Sequence, residues 1–268
     1  MKLSLVISYY KNLENLELIF KGLEVQSEKD FEVIVAEDDC SQKTIDYLKK
    51  RMENTFFSIQ HIAQDRDDGF RKNEMLNRAI KISKSEALVF IDGDCIPHRH
   101  FVKEYLKAIT KGKILFGKRV NLGPTISGEI LDEKSIQKIN IVNILRSDSD
   151  KKKEGIYFPF MSLKIKDTGL LGCNWGILKE YLVAINGYDE DYTAPGVGED
   201  VDIEWRLKAT GLKMVSMKNK GIVYHIYHPK GYTDATVQAN YLVLEEKQKI
   251  GNIQCVNGLN KLQPIQRQ

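Results

Sequence analysis

The chain has 268 residues, enough for one large core or two small ones. Its 42% apolar and 29% charged residues are the ordinary balance of a soluble globular enzyme, and a net charge of +3 is too small to argue for a nucleic-acid partner. No apolar run approaches the roughly 18 residues needed to cross a bilayer, and the start turns too soon to Tyr9-Tyr10-Lys11-Asn12 to read as a signal peptide.

Leu3 to Ser8 reads as a buried strand. Asn12 offers an N-cap to an amphipathic helix carrying Leu13, Leu16, Phe20 and Leu23. A second strand, Phe31 to Ala36, ends in Glu37-Asp38-Asp39. Ser41 opens a helix through Ile45, Leu48 and Met52, and Phe57 to Ile62 is a third strand. The polar loop from Gln64 to Arg71 leads into a helix through Met75, Leu76, Ala79 and Ile80. Then Ala87-Leu88-Val89-Phe90-Ile91 runs straight into Asp92-Gly93-Asp94, the unbroken apolar run of a strand buried on both faces. Strands alternating with helices predict a doubly wound, mainly parallel α/β sheet.

Beyond Val120 the texture changes. Asn121 to Thr168 is polar, lysine-rich and weakly periodic, and is expected to be a long irregular insertion. Its Lys151-Lys152-Lys153 run reads as a solvated loop, with an anionic membrane surface as the other reading. A helix through Tyr181, Leu182 and Ile185 stops at Asn186-Gly187. Gly196 and Gly198 precede Glu199-Asp200, which open another helix, and the glycines imply that something comes close there. Asp202 and Glu204 are explained as acids in a first helical turn. Lys213 to Met217 and Ile222 to Tyr227 read as strands, and Ala235 to Lys249 as a helix, with a poorly ordered tail from about Asn252. Cys40, Cys95, Cys173 and Cys255 are far apart with no C-x-x-C spacing, so they are expected to be reduced thiols of a cytoplasmic protein.

The acids carry the functional argument. Asp92 and Asp94, one residue apart at the carboxyl end of a buried strand, can aim both carboxylates into the cleft where α/β sheets bind ligands. Oxygen donors there suit a divalent cation and the phosphates it carries. The plain alternative is an acidic turn. Asp39 ends another strand at the same edge, so it can line the same pocket. Neither G-x-G-x-x-G nor G-x-x-x-x-G-K-[ST] occurs, so the dinucleotide fingerprint and the P-loop are missing.

Four segments in this order resemble a family 2 glycosyltransferase of the GT-A nucleotide-sugar fold. They are Leu5-Val6-Ile7-Ser8-Tyr9-Tyr10-Lys11-Asn12, Val33 to Ser41, Phe90-Ile91-Asp92-Gly93-Asp94 and Gly198-Glu199-Asp200-Val201-Asp202. The likeness is to chondroitin-polymerase-type and galactosyltransferase-type domains and covers roughly residues 2–120 and 170–230. It implies one glycosyltransferase domain: a nucleotide-sugar half (1–118), an acceptor and catalytic half with a small sheet (119–230), and a C-terminal helix and tail (231–268).

The resemblance also implies roles. Ser8 and Tyr10 lie against the base, Asp39 accepts from a uracil ring, and Arg71 sits near base and diphosphate. Asp92 contacts the ribose or a metal-bound water, and Gly93 is on the nucleotide side. Asp94 holds Mn²⁺ or Mg²⁺ with His225, or with His228 in its place. Asp200 is the general base and Glu199 orients an acceptor hydroxyl. Relatives often carry a tryptophan before the Gly-Gly-Glu-Asp segment. Here Tyr192 to Asp200 has none, so Trp175, with Asn174, is expected to face the sugars. The Gln-x-x-Arg-Trp motif of processive synthases is absent, which favours single additions. The implied partners are a UDP-sugar and a glycan or lipid-linked glycan acceptor in a bacterial pathway, at the cytoplasmic side with peripheral membrane contact as an option.

Two rivals remain. A haloacid-dehalogenase-type phosphatase also ends a strand with Asp-x-Asp, but wants Thr or Val where Ile96 stands. A non-catalytic sugar-nucleotide-binding subunit would keep the fold without turnover.

Overall fold

The computed structural model describes residues 1–160, 169–229, 231 and 233–261. The first half runs β1 (Leu3–Tyr9), α1 (Leu13–Glu24), β2 (Phe31–Glu37), α2 (Gln42–Asn54), β3 (Ser58–Ala63), α3 (Lys72–Ile82) and β4 (Ala87–Asp92). It continues with β5 (Cys95–Pro97), α4 (Phe101–Ala108), β6 (Lys113–Phe116) and β7 (Arg119–Asn121). The second half is α5 (Pro124–Asp132), α6 (Ile141–Arg146), β8 (Asn174–Leu178), α7 (Lys179–Ala184), α8 (Val201–Ala209), β9 (Lys213–Ser216), β10 (Val223–His225) and α9 (Asp234–Ile250).

Seven strands form the main sheet in the order β3-β2-β1-β4-β8-β6-β9. β1, β2, β3 and β4 are parallel, with Ser8 level with Ala36 and Asp92. Their carboxyl ends therefore share one edge, as right-handed crossovers require. Burial on both faces accounts for the unbroken apolar runs, and every residue of β2 is buried. β8 is the exception. It runs antiparallel to both β4 and β6, and sequence reading did not assign it.

A second sheet, β5-β10-β7, stands at the same edge. In it His225 lies opposite Cys95 on one side and Asn121 on the other, and the Ile226 N–H donates to the Asp94 carbonyl at 2.9 Å. This small sheet fixes the second half of the chain against the Asp92-Gly93-Asp94 turn.

The expected irregular insertion is corrected. It holds α5, α6 and a 3₁₀ turn at Lys152–Gly155, with residues 161–168 outside the described set. Gly123 and Pro124 start α5, the Asn140 side chain caps α6 by accepting from the Asn143 N–H at 3.0 Å, and Ile126, Ile130 and Ile144 anchor both helices in the core. Helices this short carry too few periods to show a pattern in sequence.

The tail is corrected likewise: Cys255 and Leu259 are buried, and the Asn186 amide donates to the Cys255 and Asn260 carbonyls, each at 2.7 Å. Residues 262–268 lie outside the described set. No helix among the described residues is long and apolar enough to cross a membrane.

Asp202 proves to be structural. Its Oδ2 accepts from Arg206 Nε at 2.8 Å, and Arg206 Nη1 donates to the Ile185 and Gly187 carbonyls. Both side chains are almost fully buried. Asp202→Ala leaves a buried guanidinium without its counter-charge, so a loss of about 3–5 kcal/mol in denaturant unfolding is expected.

Candidate active site

The shared strand edge opens into a cavity of about 890 Å³, large enough for a nucleotide sugar. Ser8 and Tyr10 at the end of β1, Asp92 at the end of β4, Glu199 and Asp200 before α8, and His225 and His228 all line it. Gly93 packs behind them. Its N–H donates to the Ser8 carbonyl at 2.6 Å, and a Cβ there would lie 2.9 Å from that oxygen, so only glycine fits.

Beside Gly93, Asp94 Oδ2 lies 3.4 Å from His225 Nε2 and 3.1 Å from His228 Nε2. The three ligand atoms all fall within 4.8 Å of one another. The two histidines weighed as alternatives thus converge on one carboxylate. The His228 Nδ1–H donates to the Pro229 carbonyl at 2.8 Å, which turns Nε2 to Asp94: protonated it donates to that carboxylate, and neutral it has a lone pair for a cation. Burial raises the Asp94 carboxyl, but the two imidazoles outweigh it and hold the group well below the ordinary range. One carboxylate oxygen and two imidazole nitrogens are a fitting donor set for Mn²⁺, and a less natural one for Mg²⁺.

Across the cavity, Asp200 caps α8, accepting from the Val201 N–H at 2.8 Å. Burial, then the charge of Glu199, pushes its carboxyl up to about 7, against Lys72 and two backbone N–H groups. Glu199 Oε2 is buried with no hydrogen-bond partner. Lys72, the first residue of α3, stands between the acids, with Nζ 2.9 Å from Asp92 Oδ1 and 3.9 Å from Glu199 Oε1. Burial lowers its ammonium, but Asp92 and Glu199 outweigh that and keep it charged.

Several expectations are corrected by placement. Trp175 is fully buried and stacks on Phe90 with centroids 4.7 Å apart, because β8 lies inside the sheet between β4 and β6. It cannot offer a face to a sugar. Asn174 is equally buried and acts as a staple: it accepts from Tyr105 Oη at 2.6 Å and donates to the Lys118 and Gly221 carbonyls. The Arg71 guanidinium faces a separate small cleft with Asp68, Glu74 and Arg78, while its backbone N–H donates to Asp38.

Asp39 stands behind the cavity wall, with Oδ1 buried and unpartnered, and Asp38 lines the wall instead. The close approach at the two glycines comes from the protein itself: the Tyr192 ring packs on Gly198, and Val237 of α9 on Gly196. Sequence reading missed Lys72, Asp38 and Arg119, which all line the cavity. The signal for Lys72 was its place as first helical residue after a strand ending at this edge.

A model of glycosyl transferase family 2 matches residues 4–181, well over half of the chain. The chain belongs to that family. A model described as the N-terminal domain of galactosyltransferase matches residues 155–229. No curated protein sequence matches the chain.

Among solved structures, this family 2 chain is similar to the mannosyltransferase PcManGT of Pyrobaculum calidifontis in complex with GDP-Man and Mn²⁺ (TM-score 0.61, 14% identity, 93% of this chain and 64% of that one). It is also similar to GalNAc-T7 with UDP, GalNAc and Mn²⁺ (0.65, 14%, 92% and 48%). S. aureus TarS 1–349 with UDP-GlcNAc is a third (0.57, 14%, 86% and 60%). The likeness is one of fold, the GT-A fold of these transferases, and the chain spans about half to under two thirds of each.

Proposed function

We propose that this family 2 protein is an inverting, metal-dependent glycosyltransferase. It moves a hexose or N-acetylhexosamine from a UDP-sugar to a hydroxyl of a glycan or lipid-linked glycan in bacterial polysaccharide or glycoconjugate synthesis. The observation that carries this is one cavity whose wall holds His225 and His228, which converge on Asp94, and a basic carboxylate, Asp200. Nucleotide-sugar donors and Mn²⁺ in the solved relatives support the choice of ligands.

In this reading residues 1–118 bind the donor and residues 119–230 complete the acceptor side. Tyr10, half exposed, offers a ring to the base. Asp94, His225 and His228 would hold Mn²⁺ or Mg²⁺, which would supply positive charge at a leaving diphosphate. Asp200 takes the proton from the acceptor oxygen as it attacks the anomeric carbon opposite the diphosphate. A placed general base contributes roughly 10²–10⁴-fold. Lys72 holds Asp92 and Glu199 in position on the cavity wall, where Glu199 can orient an acceptor hydroxyl. Fixing donor and acceptor in line adds up to about 7–11 kcal/mol in ideal cases.

The test is UDP binding by calorimetry with and without Mn²⁺, followed by transfer and donor hydrolysis across a panel of UDP-sugars. Metal-strengthened UDP binding with turnover is the expected result. UDP binding with no turnover of any donor would point to the non-catalytic subunit, and no UDP binding would remove the UDP assignment.

A further inference from the structure

The insertion presents an apolar face that nothing else in the fold uses. On α6, Val142 and Leu145 are each 52% exposed, and beyond the 3₁₀ turn Ile156, Phe158 and Phe160 are exposed too, Phe160 at 85%. Large aromatic and aliphatic side chains grouped on a surface mark an interaction site rather than ordinary scatter. The 3₁₀ turn between the two parts is tied to the end of α6, where Lys152 Nζ donates to the Leu145 and Ser147 carbonyls, and Ile141 and Ile156 wall one cleft. Next to this face lies a second cleft of about 710 Å³, walled by Ile136, Ile139, Ile141, Ile156 and Tyr157.

Around the face the unmatched charges are mainly cations, and the exposed acids of the same segment, Asp148 and Asp150, line the active-site cavity instead. Arg146, Lys151 and Lys153 are exposed, and none forms an ion pair among the described residues. Nearby Lys134, Lys138 and Lys218 are, by contrast, each matched to glutamates. Free cations rimming exposed phenylalanine and leucine are the pattern of a surface that sits in the headgroup layer of an anionic bilayer. The apolar cleft gives the acyl or polyprenyl part of a lipid a place to lie.

We propose that the α6 and 156–160 face docks on an anionic lipid surface. The residues that open α5, Gly123 and Pro124, and those that follow α6, Asp148 and Asp150, line the active-site cavity. Docking therefore sets the mouth of that cavity beside the membrane, where the hydroxyl of a lipid-linked acceptor would arrive. The link to an acceptor rests on the glycosyltransferase reading; the docking does not.

Flotation of the full chain with vesicles tests it. Binding is expected to phosphatidylglycerol-rich vesicles and not to pure phosphatidylcholine, and to weaken with salt. Lys151→Gln with Lys153→Gln should weaken it on the order of twenty-five-fold, two factors of about fivefold. Leu145→Ser with Phe160→Ser should weaken it at least about tenfold. Both double variants should keep metal-strengthened UDP binding, which separates failure of docking from failure of the active-site reading. Absence of binding to anionic vesicles at low salt would overturn the proposal, as would binding that neither variant changes. Self-association abolished by Leu145→Ser with Phe160→Ser, without vesicle binding, would overturn it in favour of a second copy on this face.

Discussion

Asp200→Asn is expected to lower the rate of sugar transfer by roughly 10²–10⁴-fold while leaving UDP binding with Mn²⁺ unchanged. The substitution keeps the shape and the oxygen that accepts from the Val201 N–H, so α8 stays capped. What it removes is the lone pair that takes the acceptor proton. The pH profile is a second readout. With the Asp200 carboxyl pushed up to about 7 by burial and by Glu199, transfer should fall roughly tenfold per pH unit below that point, as the proton occupies the base.

Stability should run the other way. A raised folded-state pKa means the folded protein binds more protons than the unfolded chain between about pH 4 and 7. Ionising Asp200 therefore costs stability as pH rises through that window. Asp200→Asn should melt higher than wild type at pH 8, and the difference should vanish near pH 4. Equal melting at both pH values, or loss of UDP binding with activity, would make Asp200 a structural residue.

The parts of the fold visible in sequence were those where one local rule dominates. β1, β2 and β4 are buried on both faces, so their apolar runs are unbroken, and Asn12 caps α1 through its own side chain, accepting from the Asn15 N–H at 3.1 Å. The antiparallel β8 was invisible because Asn174-Trp175-Gly176 mixes types: the strand's burial comes from its neighbours, and Gly176 is there because the Tyr105 ring leaves no room for a Cβ. The same long-range fact misplaced Trp175 and Asn174. The site carboxylates were legible because each ends a strand or opens a helix at the common edge. The basic residue was misjudged by one position. Arg71 is the last residue before α3 and turns outward, whereas Lys72 starts the helix and turns in. That direction is set by the helix entry angle, which spacing alone does not carry.

Asp94→Ala should abolish the strengthening of UDP binding by Mn²⁺ and lower transfer on the order of 10³-fold, since a cation at a leaving diphosphate is worth several kcal/mol. The carboxylate is the hub of the set: both imidazole Nε2 atoms face the same Oδ2, and no other acid joins them among the described residues. The two histidines should not be equal. His225 lies within β10, hydrogen-bonded between β5 and β7, with its side chain 13% exposed; His228 lies beyond the strand at 47%. A ligand held by two neighbouring strands loses little freedom on binding, while one on a loop must first be ordered. His225→Ala should therefore approach the defect of Asp94→Ala, and His228→Ala should leave weaker but measurable Mn²⁺-dependent binding that higher metal concentration restores. Metal-dependent UDP binding that survives Asp94→Ala would show that the cation is held elsewhere in the cavity, with Asp92 as the next carboxylate to test.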